Sequence, residues 1–215
     1  MFKKITKATL ERIKSGNYRE ELPELYELEE VIENNPWHNH ESTFGHTLSV
    51  MEELRKLSQV PYLEKFLKDR QAALRLKKYL DSKLKDSPRK DLLFWAGLLH
   101  DFGKKETFVS KDGISSFPEH EKISVLKARK ILKRWNFPRE EADFILKIIA
   151  HHSLIHELAG AEDAHALDRL RKKWPDLFLA LILLVLADTK PAYLKRTDPQ
   201  KYKSRMDLYR NQLCL

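Results

Sequence analysis

The chain is poor in the residues that break or staple a fold. Six Gly and nine Pro among 215 residues exclude a turn-rich all-β sandwich and leave room for long helices. One cysteine, Cys214, excludes a disulfide framework and a Cys-ligated zinc site. So few glycines supply no Walker-type or dinucleotide-binding phosphate loop, and no G-x-S-x-G elbow is present. Asn and Gln together number only ten, which with the Lys- and Glu-rich composition is expected of a heat-adapted protein. Long hydrophobic runs are lacking too. The longest, LFLALILLVLA at 177–187, falls short of the roughly 20 residues needed to span a bilayer and reads as a helix buried inside the protein. The opening MFKKITKATLERIK has charge but no apolar signal-peptide core. A cytoplasmic protein without membrane contacts is the expectation.

What is present is a helical pattern under a charged surface. Hydrophobic residues make up 42% and charged residues 33%, with a net charge of +8. That balance favours phosphate-bearing partners, either nucleotides or nucleic acid. Apolar residues recur at helical spacing over 3–15, 23–33, 43–58, 61–84, 88–102, 119–135, 139–153, 162–173, 176–188 and 198–213. Residues 34–42 read as a polar loop. The only expected β-hairpin is at 107–117, around the Asp112-Gly113 turn signal. The expectation is one all-α domain over 1–215. Its core spans about 34–190, with N-terminal helices at 1–33, a charged arm at about 61–85 and a basic tail at 191–215. The arm and tail are candidates for weak contacts along an RNA backbone, although such charge runs more often form a solvated helical face.

The histidines and aspartates are placed non-randomly. His100-Asp101 closes the apolar helix DLLFWAGLLH, and His151-His152 closes DFILKIIA. Asp188 closes the long apolar helix, and His46 begins another. Burying such groups singly costs several kcal/mol, on the order of a lost hydrogen bond or more, unless each is paired or bound to a cation. A site shared between helices satisfies them together. Imidazole with carboxylate suits Mn, Fe, Co, Ni or Zn. Taken one at a time, each has an ordinary alternative as a helix cap or a satisfied core group.

Three segments carry a family resemblance: WHNHESTFGHT at 37–47, LLHDFGKKET at 98–107 and DGISSFPEHEKIS at 112–124. Together with Asp188 they resemble HD-domain metal-dependent phosphohydrolases, and most of all the HD domain of bacterial CCA-adding tRNA nucleotidyltransferases. Where that group has Gly before the histidine of the third segment, this chain has Glu119. The resemblance implies an HD-type helical bundle that holds a divalent transition metal through His46, His100, Asp101 and Asp188. It also implies a second ion held by His120 and His151, with Asp101 bridging. His151 is preferred over its neighbour, and His152 is left to orient substrate. A mononuclear site, with His120 and His151 as phosphate donors, is the alternative.

The activity implied is hydrolysis of a phosphomonoester or phosphodiester, in a small nucleotide or an RNA end. Asp101 and Lys104 are the catalytic candidates. Lys104 and His38 are expected at the substrate phosphate, each with a structural alternative: a lysine on a helix dipole, and a histidine fixing a loop. An RNA-binding accessory protein on the same fold and an iron-dependent oxygenase are the rival readings. Lys105, His40, His156 and His165 are expected at the surface. Trp37, Phe44, Trp95, Trp135 and Trp174 are candidates to stack a base, with core packing the commoner fate of such residues.

Overall fold

The computed structural model describes residues 6–215. The first helix, expected from residue 3, is α1 (Lys7–Lys14), capped by the Thr6 side chain; residues 3–5 lie outside the described residues. After the short α2 (Pro23–Tyr26) and a 3₁₀ turn come two strands, β1 (Ile32–Asn35) and β2 (His38–Ser42), then α3 (Thr43–Leu57). The expected charged helix is two helices, α4 (Val60–Leu67) and α5 (Arg70–Asp81). They are separated where Lys68 turns left-handed and Asp69 caps α5 by accepting from the Ala72 N–H. Next are α6 (Arg89–Leu99), a hairpin of β3 (Val109–Lys111) and β4 (Ile114–Ser116), α7 (His120–Arg134) and α8 (Arg139–Gly160). The chain finishes with α9 (Ala164–Lys173), α10 (Pro175–Thr189), α11 (Leu194–Thr197) and α12 (Pro199–Cys214).

The all-α class holds, although the expected helix over 23–33 is instead α2, the 3₁₀ turn and the start of β1, and two further corrections follow. Residues 34–42 are not a polar loop. They complete an antiparallel hairpin in which Pro36 and Trp37 form the turn between paired Asn35 and His38. Its sequence is polar and does not alternate, so it carries no strand signal of its own. Long-range bonds hold it in place. Asn34 N–H donates to Ser115 Oγ at 2.7 Å, and Asn34 Nδ2 donates to Gly113 O at 2.8 Å. The turn is pinned from the other end of the chain, by Tyr193 N–H to Trp37 O at 2.6 Å and Thr197 Oγ1 to Pro36 O at 2.7 Å.

The second correction concerns the arm and tail. Neither projects. Leu63, Leu67, Ala72, Ala73, Leu76 and Leu80 of α4 and α5 are buried, as are Arg205, Met206, Tyr209 and Leu213 of α12. Among the described residues, every buried apolar side chain but those of Ala166, Ala192 and Leu194 belongs to one continuous core cluster.

α10 runs through the middle of that core. It is apolar on every side, and Phe178 and Leu181 to Ala187 are fully buried between α3, α6, α8 and α12. Each such Leu or Ile contributes roughly 1.5–3 kcal/mol of burial, so the helix holds its place firmly and delivers its last turn to a fixed position. Gly97 lets α6 approach α3, since a Cβ there would lie 2.5 Å from Leu54 Cδ1. No helix among the described residues is long and apolar enough to cross a membrane.

Candidate metal centre

Helix ends meet at one point. Ser42 caps α3 by accepting from the Gly45 N–H at 3.1 Å, which sets His46 in the first turn. The His100-Asp101 pair follows directly on the last residue of α6, and Asp188 sits in the last turn of α10. His120 is the first residue of α7. That helix start is held against the turn after Asp101 by Gly103 N–H to Ser124 Oγ, 2.8 Å. A Cβ on Gly103 would fall 2.2 Å from His120 O, so no larger residue fits without moving α7.

The ligand atoms of His46, His100 and Asp101 lie within 4.8 Å of one another, and so do those of Asp101, His120 and His152. Asp101 is common to both groups. Three of the imidazoles are fixed in the same way. The Nδ1–H groups of His100, His120 and His152 donate to the carbonyls of Gly97 (2.9 Å), Phe117 (3.0 Å) and Ile149 (2.7 Å). A carbonyl only accepts, so each Nδ1 carries a hydrogen, which turns each Nε2 inward.

The Nε2 atoms of His120 and His152 face each other at 3.2 Å, close to the separation of two nitrogens on one ion at bond lengths of about 2.0–2.1 Å. His120 Nε2 is also 3.3 Å from Asp101 Oδ1. His100 Nε2 is buried without a hydrogen-bond partner, 3.1 Å from Asp101 Oδ2 and 3.9 Å from Asp188 Oδ1. His46 Nε2 is 2.5 Å from Asp188 Oδ1. Converging lone pairs, an unpartnered Nε2 and two carboxylates form a donor set that fits a divalent transition metal.

The protonation pattern follows from burial and neighbours. Burial works against charge on Asp101, but His100 and Lys104 outweigh it and hold its carboxyl well below the usual range. Asp188 is likewise held low against burial, by the imidazoles of His100, His156 and His46 gathered around it. Burial depresses His100, yet Asp101 and Asp188 push it up to about 10. His152 is driven well below the ordinary histidine value by burial and by the neighbouring His100 and His120. Its Nε2 is therefore free to bind a cation at neutral pH.

Lys104 does not occupy the solvated helix end considered for it. It is buried, and its Nζ lies 2.9 Å from Asp101 Oδ2 and 2.9–3.0 Å from both Glu33 oxygens. Glu33, on the unexpected hairpin, is fully buried and also accepts from Thr43 Oγ1 at 2.7 Å. His38 lies 3.4 Å from Glu33 and 3.2 Å from Glu41, and its ring packs edge-on against His46.

His151 is corrected by the structure. It stacks on Trp174, with ring centroids 4.4 Å apart, and Lys147 and Lys173 beside it add to burial in depressing its pKa. His152 takes the place expected of it, because successive helical residues point about 100° apart. His156, expected at the surface, binds Asp188 Oδ2 through Nε2 at 2.7 Å. His152 and His156 share a helix face at i, i+4. The signal was present but hidden, since a helix read as ending at 153 does not reach 156 and α8 runs to Gly160. Arg205 of α12 was missed as well. His40, Lys105 and His165 are exposed as expected. Trp95 and Trp135 are core, packed edge to face at 5.0 Å, and Trp174 stacks on His151, so of the four tryptophans only Trp37 reaches the site.

The cluster opens into a cavity of about 370 Å³ whose walls include Trp37, His38, Asp101, Lys104, His120, His152, His156, Asp188 and Arg205. A helical bundle with His and Asp side chains from separate helix ends gathered at one pocket defines a metal-site protein of the all-α class. The HD domain model matches residues 43–207, and the chain belongs to that family. It is similar to the "Multifunctional CCA protein" of Pasteurella multocida (strain Pm70), 29% identical over 175 residues, covering 79% of this chain and 35% of the relative. It is also similar to a "Bifunctional uridylyltransferase/uridylyl-removing enzyme" of Pseudomonas putida (strain F1), 29% identical over 120 residues, covering 55% of this chain and 11% of that one. The chain thus spans about a third or less of these relatives.

Proposed function

We propose that the protein is a metal-dependent phosphohydrolase acting on a phosphomonoester or phosphodiester of a small nucleotide or an RNA end. The observation that carries this reading is the His120–His152 pair, with both Nδ1–H groups engaged and both Nε2 atoms turned toward each other beside Asp101. One ion would be held by His46, His100, Asp101 and Asp188, and a second by Asp101, His120 and His152. A divalent ion held there would supply Lewis-acid polarisation of a phosphoryl oxygen and a bound water with its pKa lowered to about 7. The protein's own part is to fix the tautomers through backbone carbonyls, to keep Asp101 ionised through Lys104, and to enclose the reacting group between Trp37 and His38. Removal of a uridylyl group, named for one relative, breaks a phosphoester bond and supports this substrate class.

The test is metal analysis followed by assays with Mn, Co, Ni and Mg on p-nitrophenyl phosphate, nucleoside monophosphates and 2′,3′-cyclic nucleotides. Metal-dependent turnover of at least one substrate is expected. Metal-loaded protein that binds RNA in a salt-dependent way but hydrolyses nothing would replace the enzyme reading with that of a binding module.

A further inference from the structure

Two cations line the cavity, Lys104 and Arg205, and only one is committed. Lys104 already faces two carboxylates. Arg205 is 5% exposed, and no described carboxylate forms an ion pair with it. Its Nη1 donates to His156 O at 3.0 Å and lies 3.4 Å from Tyr209 Oη. Its guanidinium carbon sits 4.6 Å from the centre of the Trp37 ring. Its Nε is buried without a partner. Gly160 makes room for it, because a Cβ there would lie 2.6 Å from Nη2. A buried cation without a counter-anion is costly, and a carbonyl and a ring face compensate it only in part.

We infer that Arg205 is the phosphate-binding residue of this pocket and selects phosphomonoesters; this rests on the phosphohydrolase reading. A guanidinium fork takes two oxygens in one plane. A monoester has three non-bridging oxygens, enough to engage the fork and leave one for the metal centre. A diester has two and satisfies only one of these demands fully. His156 places the fork on the Asp188 side of the site, since its carbonyl holds Arg205 while its ring holds Asp188.

The experiment is calorimetric titration of inorganic phosphate and dimethyl phosphate into metal-free and Mn-loaded protein. It compares wild type, Arg205→Lys, which keeps the charge and loses the fork, and Gly160→Ala, which displaces the fork and leaves Arg205 present. Metal content and Tm are measured for each. Expected are wild-type preference for inorganic phosphate and a loss of about 10-fold or more in Arg205→Lys. Gly160→Ala should show a smaller loss, with metal content unchanged in both. Equal phosphate binding in all three proteins would overturn the role of Arg205 and leave the phosphohydrolase reading standing. Failure of wild type to bind phosphate would overturn both. A lower Tm with phosphate affinity unchanged would make Arg205 a strut between α8 and α12.

Discussion

The two carboxylates of the site live in different surroundings. Asp101 is sealed in, its side chain 3% exposed, against a lysine and two imidazoles whose tautomers the backbone dictates. Asp188 is 18% exposed and held by His46 and His156, neither of which has a hydrogen-bond partner at Nδ1. The Asp101 side is a rigid cradle with its donors aimed in advance. The Asp188 side is the more exposed one, with Arg205 and Trp37 lining the cavity beside it. On the proposed reading, the difference separates holding an ion from receiving an anion.

The sharpest way to break this comparison is to neutralise each carboxylate. Asp101→Asn is expected to empty both ligand groups and abolish turnover. It leaves Lys104 partly uncompensated, and losing one partner of a buried pair costs about 3–5 kcal/mol. Asp188→Asn is expected to lose one metal equivalent and keep the other. Metal analysis and thermal melts of the two variants check this, and identical stoichiometries would dissolve the distinction.

Next in size is the neighbouring pair on α8. His152→Gln should remove one metal equivalent and lower turnover by at least the roughly 10–100-fold that outer-shell partners typically cost. His151→Gln should change turnover less than about twofold, since it faces Trp174. An inert His152→Gln would return the second ion to question.

The pH profile of the metal-free protein sharpens the cradle further. His152 titrates below its unfolded value, so below about pH 6.5 the unfolded chain takes up a proton that the fold refuses, and stability falls with acid. His100 is raised to about 10. Its contribution is complete below about 6.5 and is lost as pH rises toward 10. Melting temperature should therefore peak near neutrality in wild type. The alkaline decline should shrink in His100→Asn, and differential scanning calorimetry from pH 5 to 10 reads both limbs. The smallest effect is at Glu119, which caps α7 at a φ of +57°. Glu119→Gly relieves a left-handed residue and should raise Tm by a few degrees at most, about 1 kcal/mol or less.

These two sides were also unequally legible. The cradle is written locally: the apolar run before His100-Asp101, the glycine after it, and the histidine that begins α7 are each visible within about ten residues. The position of Glu119 is instructive: its backbone is left-handed, a conformation glycine adopts without strain, and glycine is what the resembled family carries there. The hairpin bearing Glu33, Trp37 and His38 was not legible. Its strands are polar, and tertiary bonds to Ser115, Tyr193 and Thr197 hold them. Arg205 was obscured by its setting among lysines, although Met206, Tyr209 and Leu213 mark a buried face of α12. The choice of His151 over His152 turned on the rotational phase of α8, which only packing fixes.

The distance along the chain between His46 and Asp188 has a consequence during synthesis. The two residues that meet at 2.5 Å are 142 positions apart. At ribosomal rates of about 5–20 residues per second, the second emerges roughly seven to thirty seconds after the first. For that interval the nascent chain carries His46, His100 and Asp101 without the helix that closes over them. An ion bound in that interval would be held by an incomplete set, and the full set of ligands would be present only once α10 docks, so on the proposed reading completion of the metal site waits on completion of the fold.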